Sequence, residues 1–130
     1  MLTLDEARRI TAAARETALA NRWNVVIAVV DDAGFLVSLE RMDGTQRGSV
    51  AIAQQKARTA VLFRRPTKVF EDAVAQGRPG MMTMQDVICL EGGLPLVRDG
   101  AYVGAIGVSG VKSAEDGVIA AAAVKAFGDA

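Results

Sequence analysis

The hydrophobic positions of this chain divide it into alternating stretches of helical and strand period. Leu4, Ala7, Ile10, Ala14 and Ala18 recur at helical spacing, behind Thr3 and Glu6, which form a T-x-x-E capping box. Together they predict a helix ending near residue 20. Residues 25–31 are β-branched and apolar, as in a strand buried on both faces. A turn at 32–34 returns the chain as a second strand over 35–41, so an antiparallel hairpin is expected. A loop at 42–46 leads to a helix over about 48–63, stopped by Pro66. Thr67 is placed to cap a short helix running through residue 75, with Gly77 as its terminator. Residues 78–84 read as loop and 85–90 as a short strand. Strands over 94–98 and 101–109 flank Asp99-Gly100, a two-residue hairpin signal. Ser113 and Asp116 open a last helix through residue 127.

The resulting order is α-β-β-α-α-β-β-β-α in a single domain, residues 1–130. It has no strand-helix-strand alternation with long parallel runs. The fold class it predicts is α+β, with helices packed on a central antiparallel sheet of about five strands.

Composition narrows the function. Lys plus Arg and Asp plus Glu both number 15, a balance that argues against nucleic acid or an anionic membrane as partner. It also leaves little charge repulsion to oppose self-association. Cys89 is the one cysteine, which excludes a disulfide framework. There is no histidine, which removes histidine bases, Ser-His-Asp triads and histidine metal sites together. The first residues lack a basic segment followed by an apolar run, and no apolar run approaches membrane-spanning length. The expected compartment is the cytoplasm.

Several groups carry possible chemistry. On a helical wheel of the second long helix, Lys56 is the only charge in the apolar arc, between Phe63 and Ala60. Either it snorkels to water, or it points into a pocket as an anion contact, base or nucleophile. Arg65, fixed by Pro66, suits the end of a helix or bidentate contact with a carboxylate or phosphate. Residues 91–110 hold six of the 13 glycines. Gly92 and Gly93 before Pro95 can turn the chain back into the sheet or offer backbone N–H groups to an anion. Glu91 beside them is a candidate base or a salt-bridge partner. Arg41 and Asp43 lie in an R-M-D-G stretch whose Asp-Gly pair is turn chemistry first. Cys89 reads as a buried thiol, and Met81, Met82 and Met84 form a soft apolar loop.

Taken in order, four stretches make the chain resemble the GlcG/HbpS-like family, which includes the haem-binding HbpS proteins and the C-terminal domain of PduO-type proteins. They are the hairpin at 27–34, R-M-D-G at 41–44, K-A-x-T-A-x-x-F-x-R-P-T at 56–67, and G-G-L-P-L with G-A-I-G-V-S-G at 92–110. The resemblance implies an α+β fold, symmetric homo-oligomers that reach octamers in some members, and haem or corrinoid association in part of the family. Haem in this chain would have to use Lys, Met, Tyr or Cys, since no histidine is present.

The expected function is a homo-oligomeric binding protein in small-molecule catabolism. Its ligand is a small carboxylate or a carboxylate-bearing tetrapyrrole. Its pocket is expected between the second long helix and the glycine-rich strands, built from Lys56, Phe63, Arg65, Gly92, Gly93 and Pro95, with Arg41 and Asp43 as further contacts. Two alternatives stand beside it. One is a cofactor-independent lyase, isomerase or tautomerase with Glu91 or Lys56 as base and Arg65 as anchor. The other is an accessory structural subunit.

Overall fold

The computed structural model describes residues 1–128. Its elements are α1 (Leu4–Ala20), β1 (Val26–Asp31), β2 (Leu36–Arg41), α2 (Ser49–Phe63), α3 (Lys68–Ala75), a 3₁₀ turn (Pro79–Thr83), β3 (Gly93–Arg98), β4 (Ala101–Ser109) and α4 (Ser113–Gly128). The four strands form one sheet in the order β2-β1-β4-β3, with every neighbouring pair antiparallel.

Alternation along β1 and β4 assigns the two faces. Ile27, Val29, Ile106 and Val108 point to one side, into the main core with Ile10, Ala14, Ile119 and Ala123. There α1 and α4 pack side by side. Val26, Ala28, Val30 and Ala105 point to the other side, beneath Ala53, Ala57 and Ala60 of α2. Small residues on both partners let α2 lie close to the strands. Gly107 shows how close: a Cβ there would fall 2.6 Å from the Ala57 nitrogen and 3.0 Å from its Cβ.

Local sequence chemistry accounts for most boundaries. Thr3 accepts a hydrogen bond from Glu6 N–H at 3.1 Å, and Thr3 N–H donates to Glu6 Oε1 at 3.0 Å, completing the capping box. Asp31 Oδ1 accepts from the amides of Ala33 and Phe35, both at 2.9 Å, and folds the first hairpin turn. Asp99 and Gly100 have φ of 50° and 78°, the pair of left-handed residues a type I′ hairpin needs. Arg64, also left-handed at φ 54°, ends α2 two residues before Pro66.

Two expectations need correction. The sheet has four strands rather than five, because residues 85–90 pair with no strand. Asp86 turns left-handed at φ 60°, and the segment runs over α2, where Ile88 N–H donates to the buried Thr59 hydroxyl at 3.2 Å. Val87, Ile88 and Cys89 are half-buried and Leu90 is exposed, and a short apolar run does not distinguish covering by a helix from pairing in a sheet. Thr67 does sit at the start of α3, but its hydroxyl makes no cap. It accepts the Gly93 amide at 2.9 Å, while Thr67 N–H donates to the Gly93 carbonyl at 3.0 Å. The start of α3 is thereby stitched to the start of β3.

Candidate functional site

The residues singled out by the sequence fall in two separate places. The first is the contact between α2, β3 and the start of α4. Lys56 extends from the middle of α2 to donate to the Val108 carbonyl at 2.9 Å and to Asp116 Oδ2 at 3.0 Å. Both side chains of this ion pair are only 2% exposed. Asp116 also accepts from Val111 N–H at 3.2 Å, so its carboxylate ties the chain entering α4 to α2. Burial pushes the Asp116 carboxyl up from its ordinary range, and the charge and hydrogen bond of Lys56 oppose that shift.

The glycine pair seals the amine in. Gly92 has φ 134°, and a Cβ there would lie 2.9 Å from Lys56 Nζ and 2.6 Å from the Val108 carbonyl. At Gly93 a Cβ would lie 2.7 Å from the Lys56 carbonyl carbon. The space expected between helix and glycine-rich strand is therefore filled by the lysine and the backbone around it. The amine donates to a carbonyl and a carboxylate and is walled in by backbone, which leaves an electrophile no approach to it.

The other residues of this group are occupied locally. Pro95 lies on the edge strand β3 opposite Ala105, where a missing N–H is tolerated. The Glu91 carboxylate packs on Gly117, just past the first turn of α4: a Cβ at Gly117 would lie 2.8 Å from Glu91 Cδ. A helix N-terminus is a favourable place for that negative charge. Arg65 is exposed and folds back, Nε donating to the Phe63 carbonyl at 2.9 Å. Phe63 meets Phe70 edge to face, ring centroids 5.5 Å apart. Among the described residues, Lys56 lines none of the five best-formed clefts.

The second place is the R-M-D-G loop at the end of β2. Met42 N–H donates to the Val25 carbonyl at 3.0 Å, Thr45 Oγ1 donates to the Met42 carbonyl at 2.7 Å, and Gly44 turns the loop at φ 81°. Arg41, Met42 and Asp43 form the shared wall of two adjoining clefts. One, of about 320 Å³, is completed by Arg15, Leu19, Asn24 and Glu40. The other, of about 380 Å³, is completed by Gly44, Thr45, Gln46 and Arg47. Arg15 pairs with Glu40 at 2.8 Å. Among the described residues Arg41 and Arg47 enter no ion pair. The clefts thus present three guanidinium groups against two carboxylates, around one thioether.

Arg15, Asn24 and Arg47 were not singled out by the sequence. Arg47 stands next to the R-M-D-G stretch and was within reach of a local reading. Arg15 comes to the loop because α1 packs on β1 and β2, a placement with no local signature, and Asn24 because the pairing of β1 with β2 sets the start of β1 beside Arg41. Among the described residues no three acidic, cysteine or histidine side chains converge as a metal site. Among them, too, no helix is long and apolar enough to cross a membrane.

A model of the haem-degrading, HbpS-like protein family matches residues 2–125. The chain belongs to this HbpS-like family. It is similar to the protein GlcG of Escherichia coli K12, 47% identical over 109 residues that cover 84% of this chain and 81% of GlcG. Among solved structures it is similar to a PduOC–haem complex, with TM-score 0.87 and 31% identity, covering 96% of this chain and 94% of that one. It is likewise similar to HbpS, with TM-score 0.88 and 34% identity, covering 95% and 88%. The family suggested by the four sequence stretches is the one these comparisons show.

Proposed function

We propose that this HbpS-like chain binds a small molecule bearing carboxylates, a tetrapyrrole of the haem class, at the arginine clefts of the R-M-D-G loop. The observation that carries the proposal is the grouping of Arg15, Arg41 and Arg47 about Met42, with two of the three arginines outside any ion pair among the described residues. A guanidinium fork matches a carboxylate bidentately, and a half-buried methionine offers apolar surface beside it. The relatives support the ligand class: the family takes its description from haem degradation, and the PduOC structure is a haem complex.

In this reading Lys56, Gly92, Gly93 and Pro95 hold the scaffold, and Arg41 and Asp43 face the ligand. Proton abstraction by Lys56 has no support from a sealed, ion-paired amine. Self-assembly belongs to the same proposal. Phe35 is 73% exposed, and Leu36 beside it, the first residue of the edge strand β2, is 49% exposed. A second copy seated there would bury both, and repetition of such contacts would give the octamer that the resemblance implies for some members.

Hemin titration followed by absorbance tests the reading. Arg41→Ala is expected to weaken binding tenfold to a hundredfold, the loss of one charge-assisted contact of about 1.5–3 kcal/mol. Stability should stay within about 0.5 kcal/mol of wild type, as for other exposed positions. Unchanged affinity in Arg41→Ala and in Arg47→Ala would overturn the assignment of the cleft.

A further inference from the structure

The donor set of this chain fits the carboxylates of a tetrapyrrole and does not fit its metal. Haem proteins hold iron through histidine, cysteine thiolate, methionine or tyrosine, and the chain has no histidine. Its single tyrosine, Tyr102, lies half-buried under the Arg64 guanidinium, 5.5 Å from the ring centroid. Its single cysteine, Cys89, is half-buried with Sγ 3.7 Å from the Met81 carbonyl. Burial pushes that thiol up, away from the thiolate a metal needs.

The lysines are equally committed or misplaced. Lys56 is sealed in its ion pair, and Lys68 is paired with Asp72 at 2.7 Å. Lys112 and Lys125 are exposed at the two ends of α4, outside both arginine clefts. Met81, Met82 and Met84 also lie outside them. Met42 is the one soft donor on the shared wall, and its side chain is half-buried against the main core.

From this we infer that the bound tetrapyrrole is held by its carboxylates and its ring face with no side chain on the metal, so that the site accepts metal-free and metal-bearing dicarboxylic porphyrins alike. The inference rests on the tetrapyrrole reading given above and names its substrate class more narrowly. Selection in such a site acts on the carboxylate edge, where Arg41 and Arg47 stand free, and is indifferent to what occupies the centre of the ring.

The test compares three probes on the full chain: hemin, metal-free protoporphyrin IX, and protoporphyrin IX dimethyl ester. Hemin and protoporphyrin are expected to bind within about threefold of each other, and the ester, with its carboxylates blocked, at least tenfold more weakly. Met42→Leu, which conserves volume, should shift hemin and protoporphyrin affinity by the same factor and leave the ferric visible spectrum unchanged. Hemin binding tenfold or more tightly than protoporphyrin, with a low-spin spectrum that Met42→Leu abolishes, would overturn the inference while leaving tetrapyrrole binding intact. Equal binding of the ester would overturn the carboxylate anchor. Failure of all three probes to bind would overturn the tetrapyrrole reading itself.

Discussion

Lys56→Ala is expected to destabilise the fold by about 3–5 kcal/mol, because it leaves Asp116 charged, buried and without its partner. The loss should be read by urea unfolding, with the slope of the transition unchanged. It should also depend on pH in a definite direction. Burial already raises the Asp116 carboxyl, and Lys56 is what opposes the rise. Without Lys56 the folded-state value lies further above the unfolded one. Such a group favours folding while it is protonated and ceases to as pH climbs through the raised value. The variant should therefore recover part of its deficit at about pH 5 relative to about pH 8. Lys56→Met combined with Asp116→Leu should recover most of it at either pH, since a well-packed apolar pair can replace a buried ion pair. A near-neutral single variant would show that the amine is not sealed as described.

Gly107→Ala is the second large effect. The added methyl would meet the Ala53 carbonyl at well under van der Waals contact and the Ala57 nitrogen at 2.6 Å. Backbone atoms cannot swing aside as side chains do, so α2 must lift from β4. The expected cost is at or above the upper end of the about 1–3 kcal/mol typical of overpacking. Gly80→Ala is the internal control, with nothing within 4 Å of its Cβ and an expected change within about 0.5 kcal/mol. Equal stability of the two variants by chemical denaturation would contradict the close seating of α2.

These two variants also show what the sequence could and could not reveal. The helical wheel isolated Lys56 as the single charge in an apolar arc, because that depends only on local period. Its partner lies 60 residues away, and no pattern within α2 points to Asp116. The same distance hid the true role of the glycines. Their density predicted close approach, and Gly93 and Gly107 do lie against α2. What approaches is the helix backbone and the Lys56 stem, where a ligand pocket was expected. Ser113 and Asp116 correctly marked the start of α4, but Asp116 spends its carboxylate on Lys56 and on the Val111 amide. The stretch 85–90 shows the limit of apolar runs: Val87, Ile88 and Cys89 are half-buried, but the segment runs over α2 and joins no neighbouring strand.

The candidate site divides along the same line. Arg41 and Asp43 were legible because R-M-D-G is contiguous and turns at Gly44. Arg15 enters the cleft from α1, 26 positions earlier than Arg41, and needs the packed fold to bring it there. A reading confined to neighbouring residues placed the positive charge at Lys56 and Arg65. Among the described residues Arg65 also enters no ion pair, but it lines neither arginine cleft, where Arg41 and Arg47 stand.

The most direct measurement is amide hydrogen exchange of the full chain with and without protoporphyrin IX. Slowed exchange over residues 41–47, with 91–93 unchanged, is the result expected of a ligand held by the arginine clefts. Slowed exchange at 91–93 with 41–47 unchanged would place the ligand against Lys56 and contradict this account.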